Sequence, residues 1–166
     1  MGVFRHIEKL VPGLEGPAIQ KGQSNRMSPR EVAQDNLDAW NNRDFDRMRD
    51  LMHPEYTYTG PDGREQKGPE AGMAVAHMFA DAFPDGRVEI LNTKEAGDTA
   101  VVEFVGRGTH GGDLMGIAPT GRPVNIPICE VLEVRDGKIY RLRQYLDFAN
   151  VLAQIGVTAV PSAAPA

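Results

Sequence analysis

Residues 87–146 read as four strands in succession, and that run constrains the fold more than any other feature. The strand-like segments are Arg87–Lys94, Thr99–Thr109, Pro123–Val134 and Lys138–Leu146. Ala96-Gly97-Asp98 and Arg135-Asp136-Gly137 are short turns, so the strands they join run antiparallel. A longer link, Gly111–Arg122, is rich in Gly and contains Pro119.

The first helix opens at Ser28-Pro29-Arg30-Glu31, with a capping hydroxyl, Pro at the first helical position and Glu three residues after the cap. Val32, Ala33, Leu37 and Trp40 form its apolar stripe, and Asn41-Asn42-Arg43 ends it. Asp44 caps a shorter helix carrying Phe45, Met48, Leu51 and Met52, which the sequence stops at His53-Pro54 because a residue before Pro avoids the α region. Glu55–Thr59 reads as a strand closed by the turn Gly60-Pro61-Asp62-Gly63. Gly68-Pro69-Glu70 opens a third helix that is apolar almost all round and ends at Phe83-Pro84-Asp85. A last helix runs from Asp147 to Ile155 and closes at Gly156.

This order predicts an α+β fold, a cone-shaped curved antiparallel sheet packed against three helices and enclosing a hydrophobic cavity. With 166 residues, 41% of them hydrophobic, one such domain is the expectation: residues 28–156, preceded by an extension over 1–27 and followed by a frayed tail over 157–166. A net charge of -5 with interspersed signs supplies no basic stripe, which argues against a nucleic-acid partner. The single cysteine, Cys129, excludes an internal disulfide and a Cys-based zinc site. No stretch approaches the roughly 18 apolar residues of a membrane helix, and the N-terminus lacks the continuous apolar core of a secretory signal. The expected location is the cytoplasm.

Several local strings resemble the SnoaL-like polyketide cyclase group of the nuclear-transport-factor-2-like superfamily. They are Trp40-Asn41-Asn42-Arg43-Asp44, His53-Pro54-Glu55-Tyr56, Gly68-Pro69-Glu70, Phe83-Pro84-Asp85, Gly108-Thr109-His110-Gly111, Pro119-Thr120-Gly121-Arg122, and Asp136-Gly137-Lys138-Ile139 leading to Asp147. The resemblance implies a homodimer, a hydrophobic cavity and catalysis without metal or organic cofactor. It also implies that the family's acid/base aspartate falls on Asp147. An Asp-Arg-Asp epoxide hydrolase arrangement is not matched, because Gly108-Thr109 follows Arg107 where an acid is required.

Alternation places Arg141, Arg143, Tyr145 and Asp147 on one side of the last strand, with Tyr140, Leu142, Gln144 and Leu146 on the other. At the apolar mouth of a cone, the Asp147 carboxyl would be raised by desolvation and suited to acid/base work, the reading its motif position favours; the alternative is a plain cap for the last helix. Glu130 is the one charge among Ile126, Ile128, Leu132 and Val134, and reads as a second acid/base group, a partner of Arg143 or a structural ion pair. His110 is a rim or catalytic imidazole, and His77 a core residue or a pocket ligand. Tyr58, with Tyr56 on the same strand face, offers a phenol to a substrate oxygen. Arg143 and Tyr145 complete the expected substrate wall, and Trp40 and Phe79 read as core residues or as part of that wall. His110, Asp113 and Glu130 have no metal-binding spacing, so no metal is expected.

The expected function is a cofactor-independent lyase or cyclase acting on a hydrophobic aromatic or polycyclic molecule by aldol or retro-aldol chemistry, or by elimination of water or a small aldehyde. The alternatives are a non-catalytic binding module for an apolar metabolite, or an isomerase or epoxide hydrolase of the same fold.

Overall fold

The computed structural model describes residues 26–157. The proposed extension and tail fall almost wholly outside those residues.

Helix α1 spans Pro29–Asn42, and its first turn is closed by the reciprocal bonds read from the sequence: Ser28 Oγ accepts from Glu31 N, and Glu31 accepts from Ser28 N. Arg43 ends it in a left-handed conformation with φ 57°. Helix α2 is a short segment, Phe45–Asp50, capped by Asp44. Strand β1 follows at Met52–Thr59, then β2 at Glu65–Lys67 and α3 at Pro69–Ala82. The meander is β3 (Arg87–Ala96), β4 (Thr99–Thr109), β5 (Pro123–Arg135) and β6 (Lys138–Leu146), with α4 over Phe148–Gln154.

Two elements differ from the sequence reading. Met52, His53 and Pro54 belong to β1 rather than to the end of α2, because the extended bias before Pro starts a strand there as readily as it stops a helix. Strand β2 carries no sequence signal: Glu65, Gln66 and Lys67 are all exposed and gain strand form only by pairing with β1.

The six strands form one curved, unclosed sheet in the order β2-β1-β6-β5-β4-β3. All pairs are antiparallel except β1 with β6, which run parallel. Register shifts at Ile90/Asn92 and Glu133/Val134 add local bend to the long strands. The concave face carries Phe104, Leu132, Leu142 and Val102, on which α1 and α3 pack through Val32, Leu37, Met73 and Ala76. A second cluster, around Phe83, Leu114, Ile126, Val151 and Ile155, seats α4.

The Gly111–Arg122 link is tied to the end of α3. Both Gly111 N and Gly112 N donate to Ala82 O, at 3.0 and 3.1 Å. A Cβ on Gly112 would lie 2.0 Å from the Asp81 carbonyl oxygen, so this approach requires glycine.

Candidate active site

The concave face leaves a cavity of about 130 Å³ between the helices and the sheet. Its walls are mostly apolar: Leu37 and Trp40 from α1, Val75, Ala76 and Phe79 from α3, and Phe104, Ile126, Ile128, Leu142 and Leu146 from the strands. Four buried or half-buried polar side chains enter it, Tyr58, Glu130 and Gln144 from the sheet and Asn36 from α1, with Tyr56 beside them.

Three of these form a chain across neighbouring strands. Glu130 of β5 and Gln144 of β6 stand opposite each other in register, and Tyr58 pairs with Leu142 across the β1–β6 boundary. The Tyr58 hydroxyl donates to Gln144 Oε1 at 3.0 Å, and Gln144 Nε2 donates to Glu130 Oε1 at 2.8 Å. Glu130 Oε2 is buried and has no partner among the described residues. The carboxyl is therefore held by one oxygen, and the other makes no hydrogen bond among the described residues.

Burial dominates the protonation of this group. Desolvation pushes the Glu130 carboxyl up from 4.5 to about 7, and the Gln144 hydrogen bond opposes it with a smaller effect. Tyr56 and Tyr58 are raised well above the ordinary phenol value, first by desolvation and then by the Glu130 charge. Both phenols keep their protons near neutral pH, so they act as hydrogen-bond donors and not as bases.

The other candidates from the sequence are placed as follows. Trp40 and Phe79 line the cavity. Asp147 does not: it is exposed and caps α4, its Oδ1 accepting from Asn150 N at 3.0 Å. Of its two readings from sequence, the helix cap is the one the geometry supplies. Arg143 and Tyr145 share its strand parity and point outward; Arg143 pairs with Glu133 at 2.9 Å and Tyr145 is 56% exposed. Glu130 thus has Gln144 as its partner, not Arg143. His77 lies on the exposed side of α3 against Phe45, ring centroids 4.4 Å apart. His110 is fully buried but is not among the cavity residues; its backbone bonds Arg122 O and Gly121 N, and its Nδ1 accepts from Thr120 N at 3.3 Å. That imidazole staples the two ends of the Gly-rich link. Among the described residues, no group of three or more His, Cys, Asp or Glu side chains comes together as a metal site.

Of the buried or half-buried polar residues of the cavity, two, Gln144 and Asn36, are absent from the candidates that sequence reasoning provides. Each carries a signal there, a polar residue set within an apolar stripe: Gln144 between Leu142 and Leu146 at strand spacing, and Asn36 between Val32 and Trp40 at helical spacing.

No helix among the described residues is long and apolar enough to cross a membrane. The profile of the SnoaL-like polyketide cyclase family matches residues 30–155. Aklanonic acid methyl ester cyclase AcmA of Streptomyces galilaeus is 30% identical over 122 residues, 72% of this chain and 85% of that protein. The crystal structure of IdmH from Streptomyces antibioticus aligns with a TM-score of 0.70 and 28% identity over 79% of this chain and all of the other. A SnoaL-like protein from Jannaschia sp. CCS1 shares the fold with a TM-score of 0.73 at 23% identity, over 84% of this chain and all of the other. The apolar cone, its buried carboxyl and the extent of these matches lead to one assignment: the chain belongs to the SnoaL-like polyketide cyclase family.

Proposed function

We propose that the protein is a cofactor-independent cyclase that closes a ring in a hydrophobic, aromatic polyketide by intramolecular aldol addition, with Glu130 as its acid/base. The observation that carries this reading is the unpartnered Glu130 Oε2 in an apolar cavity, on a carboxyl raised to about 7. Such a group exchanges a proton near neutral pH without a large penalty in either direction. Similarity to a cyclase named for aklanonic acid methyl ester supports the substrate class.

In the first step Glu130 Oε2 takes a proton from a carbon next to a carbonyl, and the C–H electron pair becomes an enolate. The enolate carbon then attacks a second carbonyl carbon of the same molecule. A C–C bond forms, the carbonyl π bond breaks, and the new alkoxide recovers the proton from the Glu130 carboxylic acid. Tyr56, whose phenol stays protonated beside Glu130, donates a hydrogen bond to the developing oxyanion. The Tyr58–Gln144 chain fixes the carboxyl so that only one oxygen meets substrate. The apolar walls exclude water that would otherwise protonate the enolate.

A homodimer belongs to the same proposal. The convex face of the sheet carries half-buried Val101, Cys129 and Val131, and a second copy would cover them. Sedimentation at micromolar concentration giving only a species of 18.1 kDa would remove the dimer from the reading.

Aklanonic acid methyl ester incubated in D₂O tests the chemistry. The wild-type protein should place deuterium on the carbon next to the ester or ketone and form the cyclised product. Glu130→Gln should bind the compound and do neither. Exchange and cyclisation surviving unchanged in that variant would assign the base elsewhere.

A further inference from the structure

Three buried side-chain polar atoms lack a hydrogen-bond partner among the described residues: Glu130 Oε2, Asn36 Oδ1 and His110 Nε2. His110 lies outside the cavity, whereas Asn36 lines it together with Glu130. Asn36 is 5% exposed and sits in the interior of α1, a turn after Val32 and a turn before Trp40.

That placement breaks two local rules at once. Asn is a poor helix former in a helix interior, and an apolar residue there would extend the stripe of Val32, Leu37 and Trp40. A buried amide with an unmade hydrogen bond also carries its full desolvation cost. On the sheet side, Tyr58, Gln144 and Glu130 hold one another in a chain that leaves free the one oxygen that would do chemistry. Violations of this kind, without a compensating contact inside the protein, collect where a ligand supplies the missing partner.

We infer that Asn36 is the second polar anchor of the cavity, binding a hydroxyl group of the substrate while the enolisable carbonyl lies at Glu130. This rests on Glu130 as the acid/base proposed above and narrows its substrate class. The ligand is a hydroxylated aromatic ketone whose hydroxyl and carbonyl occupy different ends of the ring system. A hydroxyl is the group that fits best: it both donates and accepts, so it satisfies the carboxamide whichever way the amide is turned. Asn36 comes from α1 and Glu130 from β5, so the two anchors grip the ring from the helical and the sheet walls. Together they fix which carbon faces the base, a task that apolar walls alone do not perform.

Two probes differing by one hydroxyl test this: 6-hydroxy-1-tetralone and 1-tetralone, each with an enolisable carbon beside its ketone. Affinities are measured by calorimetry, and quenching of Trp40, the chain's single tryptophan and a cavity residue, marks where they bind. The wild-type protein should prefer the hydroxylated probe roughly tenfold, the size of one well-made hydrogen bond. Asn36→Leu should remove the preference, leave 1-tetralone binding as tight or tighter, and raise the melting temperature by removing the unpaired amide. Asn36→Ala should remove the preference too, without added bulk. Equal affinity of the wild-type protein for the two probes, absence of binding included, would overturn the inference. So would a preference retained in both variants. Deuterium exchange at the carbon beside the ketone, followed in Glu130→Gln, reads the catalytic assignment separately. Exchange retained there with the hydroxyl preference lost in Asn36→Leu would sink the base and leave the anchor standing.

Discussion

Glu130 and Asp147 are two carboxylates of the same β5–β6 hairpin, and they have opposite lives. Glu130 faces Gln144 across the β5–β6 ladder, and Asp147 follows Gln144 by three residues. One is only 5% exposed, on the wall of an apolar cavity, with one oxygen that makes no hydrogen bond among the described residues; the other is exposed and spends its side chain on the first turn of α4. Strand parity separates them. Leu142, Gln144 and Leu146 of β6 line the concave face, while Arg141, Arg143 and Tyr145 turn to the convex one. An odd step along the strand is enough to carry an acid from the cavity to solvent. The face on which a carboxylate stands thus says more about its chemistry than the motif that contains it.

A matched pair of amide substitutions separates the two most sharply. Glu130→Gln should lower the rate of deuterium exchange and cyclisation by about 10²–10⁴-fold, the usual share of a positioned acid/base group. Asp147→Asn should leave both within a factor of two, since Asn caps a helix as well as Asp does. A loss in Asp147→Asn equal to that in Glu130→Gln would erase the distinction between them.

A second contrast lies in the pH dependence of stability. The Glu130 carboxyl is raised from 4.5 to about 7 in the folded protein, so the native state holds its proton more tightly than the unfolded chain does. Its contribution is fully present below about pH 4.5 and is lost as pH rises through 7. The loss amounts to about 3–4 kcal/mol at most, because each tenfold gain in proton affinity is worth roughly 1.4 kcal/mol. Urea titrations at pH 5 and pH 8 should show this fall in the wild-type protein and a flatter profile in Glu130→Gln. Equal slopes for the two proteins would mean that the buried carboxyl keeps its charge at no cost.

Much of this frame is legible in the residues, and the misplaced parts share a cause. The α1 capping box, the glycine and proline punctuation and the four long strands are local signals, and each element forms where its own residues direct. Which side of β6 is concave is not local. It is set by the parallel pairing of β1 with β6 and by the helices laid over that face, contacts far apart in sequence. The alternation correctly sorts Arg143, Tyr145 and Asp147 from Leu142, Gln144 and Leu146, but a chemical motif is a poor basis for choosing the side. The leucines flanking Gln144 are the better guide, because a sheet face between helices and strands must be apolar. Glu130 is visible for that same reason. Strand β2 has no such signal, since its three residues owe their form to β1 alone.

Gly72 tests how tightly the cavity wall is built. A Cβ at this position of α3 would lie 2.8 Å from Tyr56 Cε1, 2.9 Å from its hydroxyl and 2.9 Å from Met52 Cε. Alanine improves helix propensity by about 1 kcal/mol, while forcing a methyl into a filled space costs about 1–3 kcal/mol. The methionine methyl can swing away, but the Tyr56 ring is 1% exposed and boxed in. Gly72→Ala should therefore cost about 1 kcal/mol net and displace the phenol proposed as the donor to the oxyanion. The exchange rate should fall about tenfold, within the range found when one such donor is weakened. A rate equal to wild type would show that Tyr56 is not the donor.

The smallest effect belongs to the other carboxylate. Asp147→Ala removes the acceptor for Asn150 N–H at the start of a seven-residue helix. Losing such a cap costs about 1 kcal/mol, or roughly 2–4 °C in melting temperature for a chain of this size. Val151 and Ile155, both fully buried in the cluster beneath α4, keep the helix docked despite the loss. The effect should thus appear in thermal melts as a small shift with exchange kinetics intact, and Asp147→Asn should restore the melting temperature by restoring the cap. A drop in exchange at wild-type stability would contradict the assignment, because a cap acts through folding alone while a base acts through the rate.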